Sequence, residues 1–167
     1  IDPSCLSKIA VTTGPGLKGS LLTGLNFSAG LAAALKKPLI PINHLEGHIL
    51  SAFIDSKSFP RRNFPFLTLL ISGGHTQIIL AKQIGKYKLL GETVDDSIGE
   101  TFDKVSKELG YGYPGGPMIE KLAKKGDPTK HLFPKPLFKK QGLNFSFSGL
   151  KTAVIREITK CKSSKQR

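Results

Sequence analysis

Residues 9–42 read IAVTTGPGLKGSLLTGLNFSAGLAAALKKPLIPI, and the order of patterns within them sets the fold class. Residues 9–13 are a short apolar run closed by Gly14-Pro15-Gly16, which predicts a strand entering a tight turn. Residues 20–36 are rich in Ala and Leu and free of proline, so a buried helix is expected there, with Gly24 and Gly30 spaced for close packing on a neighbour. Residues 38–42 predict a second strand and residues 44–54 a second helix. Strand, helix, strand, helix in this order predicts α/β layering.

Working outward, residues 56–64 carry Pro60, Arg61 and Arg62 and are expected to form a surface connection. Residues 66–71 and 76–81 are apolar runs separated by Ser72-Gly73-Gly74-His75, the pattern of a hairpin with a glycine turn. Residues 87–92 predict a third strand, with Gly85 and Lys86 in the turn before it. Residues 96–109 have helical spacing stopped by Gly110, and 118–125 a short helix after the loop Pro114-Gly115-Gly116-Pro117. Residues 126–144 are expected to be irregular, and residues 148–159 to be a last helix before a polar tail.

Gly14-Pro15-Gly16-Leu17-Lys18-Gly19 fits the dinucleotide fingerprint GxGxxG, but that fold also needs a carboxylate at the tip of the following strand. Here the strand ends in Ile42, Asn43 and His44, so a plain glycine turn is the better reading. His44-Leu45-Glu46-Gly47-His48 is more informative. Two histidines at i and i+4 share one helix face, the spacing by which two imidazoles hold one divalent metal. Glu46 falls on another face, which misplaces the general base that a metalloprotease helix requires. The alternative is a pair of polar residues at a helix start.

Glycines at 73 and 74 would let a phosphate approach exposed backbone amides, although a simple hairpin turn explains them too. Asp96, Glu100 and Asp103, at i, i+4 and i+7, would put three carboxylates on one helix face. Tyr113-Pro114-Gly115-Gly116-Pro117 with Glu120 adds a second glycine loop at a helix start, where a phosphate- or hydroxyl-bearing ligand could dock.

Composition bounds these readings. The 167 residues are 39% hydrophobic and 22% charged, as expected of a globular chain with one ordinary core or two small lobes. The longest apolar stretch, residues 31–42, is broken by Lys36, Lys37 and two prolines, so no membrane span is expected. With no basic-then-apolar leader, a cytoplasmic setting is expected, and Cys5 and Cys161 are expected to be free thiols. The net charge of +13 is uneven: residues 121–167 hold thirteen Lys and Arg against Asp127 and Glu157, a net +11. Such a patch would attract phosphate backbones, and a lysine-rich solvated face or a frayed tail is the alternative. The chain begins with Ile1 and its only methionine is Met118, which suggests a piece of a longer protein.

Six blocks in this order resemble the TsaD family of tRNA threonylcarbamoyltransferases. They are GPGLKGSLLTG at 14–24, NHLEGH at 43–48, LISGGHTQ at 70–77, LGETVDDSIGETFDK at 90–104, YPGGP at 113–117 and NFSFSGLKT at 144–152. The resemblance covers residues 9–160, about the middle half of a family member, and implies a partial actin/Hsp70-like ATPase (ribonuclease H-like) fold. On it, residues 1–54 are the end of a first lobe with the paired-histidine helix. Residues 65–160 are the start of a second lobe with the glycine-loop substrate site, and residues 161–167 are a polar tail.

The implied activity is transfer of threonylcarbamoyl from threonylcarbamoyl-AMP to N6 of adenosine 37 in tRNAs reading ANN codons. The implied metal is one divalent ion, Fe2+ or Zn2+, on His44 and His48. The implied substrate residues are Leu70, Ile71, Ser72, Gly73 and Gly74 for phosphate and carbamate, with Asp103, Gly116 and Glu120 on the nucleotide. Implied partners are tRNA and, in a bacterium, TsaB- and TsaE-like proteins. Three departures temper this. The chain starts after the family's first phosphate loop and stops before the lobe supplying a third metal ligand, and Asn43 stands where a histidine is common. The isolated chain is therefore expected not to complete the transfer. An O-carbamoyltransferase, a metallohydrolase and a non-catalytic remnant are the competing readings.

Overall fold

The computed structural model describes residues 2–54, 64–138 and 141–165, which fall into two compact units, Ile1–Arg62 and Asn63–Arg167. The architecture is α/β. The first unit runs β1 (Ile9–Gly14), α1 (Lys18–Leu35), β2 (Leu39–Asn43), α2 (His44–Ser51). β1 and β2 pair in parallel, from Ile9 opposite Leu39 to Thr12 opposite Ile42, as a strand–helix–strand crossover allows. α1 lies on β1, and a methyl added at Gly24 would rest 3.9 Å from Val11, an ordinary contact. Lys36 ends the helix in the left-handed conformation at φ 51°, and its amide donates to the Ala32 and Ala33 carbonyls.

Two expectations for this unit are corrected. α1 is not a buried helix: of its residues only Ala32 is buried, while Leu22 and Phe27 are 59% and 72% exposed. A helix apolar on every side has more surface than one two-stranded sheet can cover. Nor does α2 reach residue 54. It ends at Ser51, and the amides of Phe53 and Ile54 fold back onto the Leu50 and Ser51 carbonyls in tighter i to i+3 turns.

The second unit is an antiparallel meander of β3 (Phe66–Ile71), β4 (Thr76–Gln83) and β5 (Lys86–Glu92), with α3 (Ile98–Glu108), α4 (Gly115–Ala123) and α5 (Ser148–Lys165). Ile84 and Gly85 make the β4–β5 turn, Gly85 at φ 75°, and Lys86 already pairs with Gln83, so the turn sits one residue earlier than expected. Leu70, Ile79, Ala81 and Val105 form its buried apolar centre. Among the described residues of 124–147 there is no helix or long strand, as their prolines and glycines predict, but their end returns to the sheet. The Phe145 amide donates to the Glu92 carbonyl and the Val94 amide to Phe145, beside Gly91, whose missing side chain admits the Leu143 carbonyl.

The helix expected over 96–109 runs Ile98–Glu108, because Ser97 caps it: its hydroxyl accepts from the Glu100 amide at 3.1 Å. Asp96 therefore precedes the helix, and a face of three carboxylates does not form. Asp96 pairs with Lys104 at 3.2 Å and with Lys151. Glu100 pairs with Lys104 at 2.7 Å, and Asp103 turns to the Gly115 amide at 2.7 Å. The last helix extends past residue 159 to Lys165. Among the described residues no helix is long and apolar enough to cross a membrane.

Candidate metal and substrate sites

The first unit presents the histidine pair. Asn43 caps α2 by accepting from the Leu45 amide at 2.9 Å and the Glu46 amide at 3.2 Å, which fixes His44 as the first helical residue. One turn on, His48 Nε2 comes to 3.1 Å from His44 Nε2, with ring centroids 4.5 Å apart and both residues exposed. Two nitrogens bound at roughly 2.0–2.1 Å to one ion, at octahedral or tetrahedral angles, lie about 2.8–3.4 Å apart. The pair thus has the separation that a shared divalent ion requires. Among the described residues no cluster of three or more His, Cys, Asp or Glu accompanies it.

The second unit presents a cradle organised by α3. At the β3–β4 connection the Ser72 amide donates to the His75 carbonyl at 2.8 Å, and the His75 amide donates to Ser72 Oγ at 3.0 Å. These bonds close the turn and leave Gly73 and Gly74 at its exposed tip. Among the described residues nothing accepts from the Gly73 and Gly74 amides, and no atom lies within 4 Å of a side chain built on either. Two adjacent unpaired amides at an exposed turn favour an anion.

The start of α3 is pressed against this turn. Ser97 Oγ donates to the Gly73 carbonyl at 2.6 Å, and the Ile98 amide donates to Thr76 Oγ1 at 2.9 Å. A methyl at Gly99 would meet the Ser72 carbonyl oxygen at 2.4 Å, so only glycine admits this approach. Asp103 stands one turn further along the same face of α3. Its Oδ1 holds the first amide of α4, and Gly115 there sits against the Phe102 carbonyl with no room for a methyl. α3 thereby ties the Gly73 turn, Asp103 and the Gly115–Gly116 loop to one element.

The remaining expected residues divide. Gly116 faces open space, and Glu120, one turn on, is exposed and pairs with Lys124 at 3.1 Å. Leu70 is 5% exposed, so only its backbone could face a ligand, whereas Ile71 is 54% exposed.

Sequence reading passed over Ser97, Gly99, Asp95 and Lys151. Ser97-Ile98-Gly99-Glu100 is a capping-box sequence and could have placed the helix start. Asp95 had no such signal. Its carboxylate crosses to the start of α5, where it accepts from the Phe147 and Ser148 amides at 2.8 and 3.3 Å and from the Ser148 hydroxyl at 2.7 Å, with the Ser146 hydroxyl also on it. Partial burial pushes this carboxyl up, but the bonds from Ser146, Ser148 and the two amides outweigh it and hold it well below the usual carboxylate range. Lys151 likewise leads the groups that lower Asp96, with Lys104 adding to it against desolvation.

Comparison with known proteins bears on the whole chain. A family model described as TsaD, tRNA N6-adenosine threonylcarbamoyltransferase, matches residues 1–167. A relative of that name from Christiangramia forsetii is 54% identical over 155 residues, 93% of this chain and 45% of its own length. One from Pelagibacter ubique is 51% identical over 162 residues, 97% and 44% of the two chains. One from Wolbachia pipientis wMel is 52% identical over 161 residues, 96% and 47%. The chain spans a little under half the length of the curated relatives it matches.

Proposed function

The chain belongs to the TsaD family, and on that premise we propose that it is part of an enzyme that transfers threonylcarbamoyl from threonylcarbamoyl-AMP to N6 of adenosine 37 in tRNAs reading ANN codons. The observation that carries this reading is the cradle on α3. Two unpaired amides at Gly73 and Gly74 offer donors to a phosphate, and the Gly116 end of α4, where the N-cap residue Pro114 supplies no side-chain bond and Asp103 takes only the Gly115 amide, offers a second donor edge. A substrate with an adenylate phosphate and ribose hydroxyls uses both kinds of group. Asp103 has one oxygen committed to Gly115, and the other is left for a hydroxyl.

His44 and His48 are the residues of this chain that would hold a divalent metal, iron or zinc, and their separation fits one. Bound there, such a metal supplies Lewis-acid polarisation of an acyl oxygen. The amides of the glycine turn contribute by balancing phosphate charge from fixed positions, which needs no reorganisation during transfer. In this reading the two units carry part of an actin/Hsp70-like ATPase fold. The setting is cytoplasmic, with tRNA and TsaB- and TsaE-like proteins as partners.

The test uses a glycine with room to spare. Gly73→Ala adds a methyl where nothing lies within 4 Å, so folding is unchanged while the phosphate position is blocked. Calorimetry with AMP and a non-hydrolysable threonylcarbamoyl-adenylate should show binding to the parent chain and at least about tenfold weaker binding to the variant, the loss of one charged hydrogen bond. Equal affinities would remove the glycine turn from the site.

A further inference from the structure

The basic half of the sequence has an address in the second unit. A cleft of about 330 Å³ lies between α5 and residues 130–133, lined by Lys130, His131, Phe133, Arg156, Glu157 and Lys160. Its one carboxylate, Glu157, is already taken by Lys160 at 3.2 Å and faces His131 Nδ1 at 3.7 Å. Among the described residues no carboxylate pairs with Lys130 or Arg156, so the cleft keeps a positive field. On its wall the rings of His131 and Phe133 lie nearly parallel, 23° apart in plane with centroids at 6.0 Å, and Phe133 is 39% exposed.

We propose that this cleft binds an RNA strand, with Arg156 and Lys130 on backbone phosphates and the His131–Phe133 pair against a base. The proposal rests on the reading that the chain acts on tRNA, and adds to it a surface outside the α3 cradle. Cations alone suit any polyanion. The neighbouring aromatic pair decides for a nucleic acid, because every base offers a face to stack and an acidic peptide does not. Arg156 presents a planar fork matched to phosphate oxygens, and Lys160 one turn away on α5 continues the same edge.

The experiment is fluorescence anisotropy of a labelled anticodon-arm hairpin with the 167-residue chain, across a salt series. Lys130→Ala/Arg156→Ala should weaken binding about tenfold at low salt and lower the slope of log affinity against log salt by about two. Phe133→Leu should weaken it about fivefold or more with the slope unchanged, since stacking releases no counterions. Lys86→Ala/Lys88→Ala, an equal charge loss on the exposed strand β5, should stay within about twofold of the parent. Circular dichroism and urea midpoints confirm that each variant folds. The cleft is refuted if the control pair weakens binding as much as the cleft pair, or if the parent chain does not bind the hairpin at low salt. Polyglutamate bound more tightly than RNA, and lost with the cleft pair, would also refute it. Adenylate binding that survives in cleft variants separates the outcomes: the cradle reading stands or falls on that ligand, and this cleft on RNA.

Discussion

Alanine at Gly99 is the perturbation whose sign the structure fixes against ordinary expectation. In an open helix, replacing glycine by alanine stabilises by roughly 0.5–1 kcal/mol, because the unfolded chain loses freedom. At Gly99 the new methyl would sit 2.4 Å from the Ser72 carbonyl oxygen, 2.8 Å from its carbon and 2.9 Å from the Gly73 Cα. All three are backbone atoms, and none can rotate away. Carbon contacts are comfortable at about 3.5–4.0 Å, so α3 and the turn must separate by about 1 Å. That movement strains packing by about 1–3 kcal/mol and stretches the 2.6 Å bond from Ser97 to Gly73, worth about 1 kcal/mol more. The net expectation is a loss of about 1–3 kcal/mol, the clash outweighing the propensity gain. With a urea slope of about 1–3 kcal/mol/M, the midpoint falls by about 1 M. Gly30 is the counter-case: it lies inside α1 with nothing within 4 Å, so Gly30→Ala should raise stability by about 0.5–1 kcal/mol. Because the chain has two units, hydrogen exchange should assign each change, with the loss confined to amides of α3 and β3–β4. A Gly99→Ala midpoint at or above the parent value would refute the close approach of α3 to the glycine turn.

Three further outcomes follow from other parts of the chain. The Asp95 carboxyl is held below its ordinary value of 3.8, so its contribution is fully present above that pH and is lost as pH falls through the lower folded value. Asp95→Asn should therefore flatten the loss of unit-two stability between about pH 4 and pH 2 in urea titrations, and an unchanged acid profile would count against the cap. His48→Ala should reduce zinc or iron retained after dialysis by at least about tenfold relative to the parent, since one ligand cannot replace two, and equal metal content in both would exclude the pair. Ser97→Ala should cost about 1–2 kcal/mol, combining a lost cap with the released Gly73 carbonyl, and a change below about 0.3 kcal/mol by urea titration would contradict the bond.

Most of the element order was legible because it rests on local pattern. Alternating and continuous apolar runs marked β1 to β5, Gly110 marked the end of α3, and the i, i+4 histidines announced their own proximity. What was not legible depends on partners distant in sequence. Asp95 meets Ser146, Phe147 and Ser148 across some fifty positions, and Asp96 meets Lys151 across fifty-five, so nothing near Asp95 or Asp96 marks their roles. The spacing of Asp96, Glu100 and Asp103 suggests one helix face only if the periodicity is carried one residue past the cap at Ser97. The burial expected of α1 failed for a related reason: composition reports how apolar a helix is, but not how much sheet stands ready to cover it.

These long-range contacts also explain why one amide cluster of the second unit can receive a ligand anion and another cannot. The start of α5 exposes the Phe147 and Ser148 amides, a natural anion position, but Asp95 already fills it and neutralises the end of the helix. The start of α3 is served by Ser97, and the first amide of α4 by Asp103. The tip of the β3–β4 turn differs. Ser72 and His75 close the turn between themselves, and Ser97 takes the Gly73 carbonyl, while among the described residues nothing accepts from the Gly73 and Gly74 amides. Asp95 and Asp103 thus occupy amides at the starts of α5 and α4, and Ser97 one at the start of α3, while the glycine turn keeps both of its amides open to an external anion. The same logic separates Asp103 from Asp95. Asp95 is saturated and structural, whereas Asp103 spends one oxygen on the Gly115 amide and keeps the other, at the start of a helix whose N-cap residue, Pro114, offers no side-chain bond.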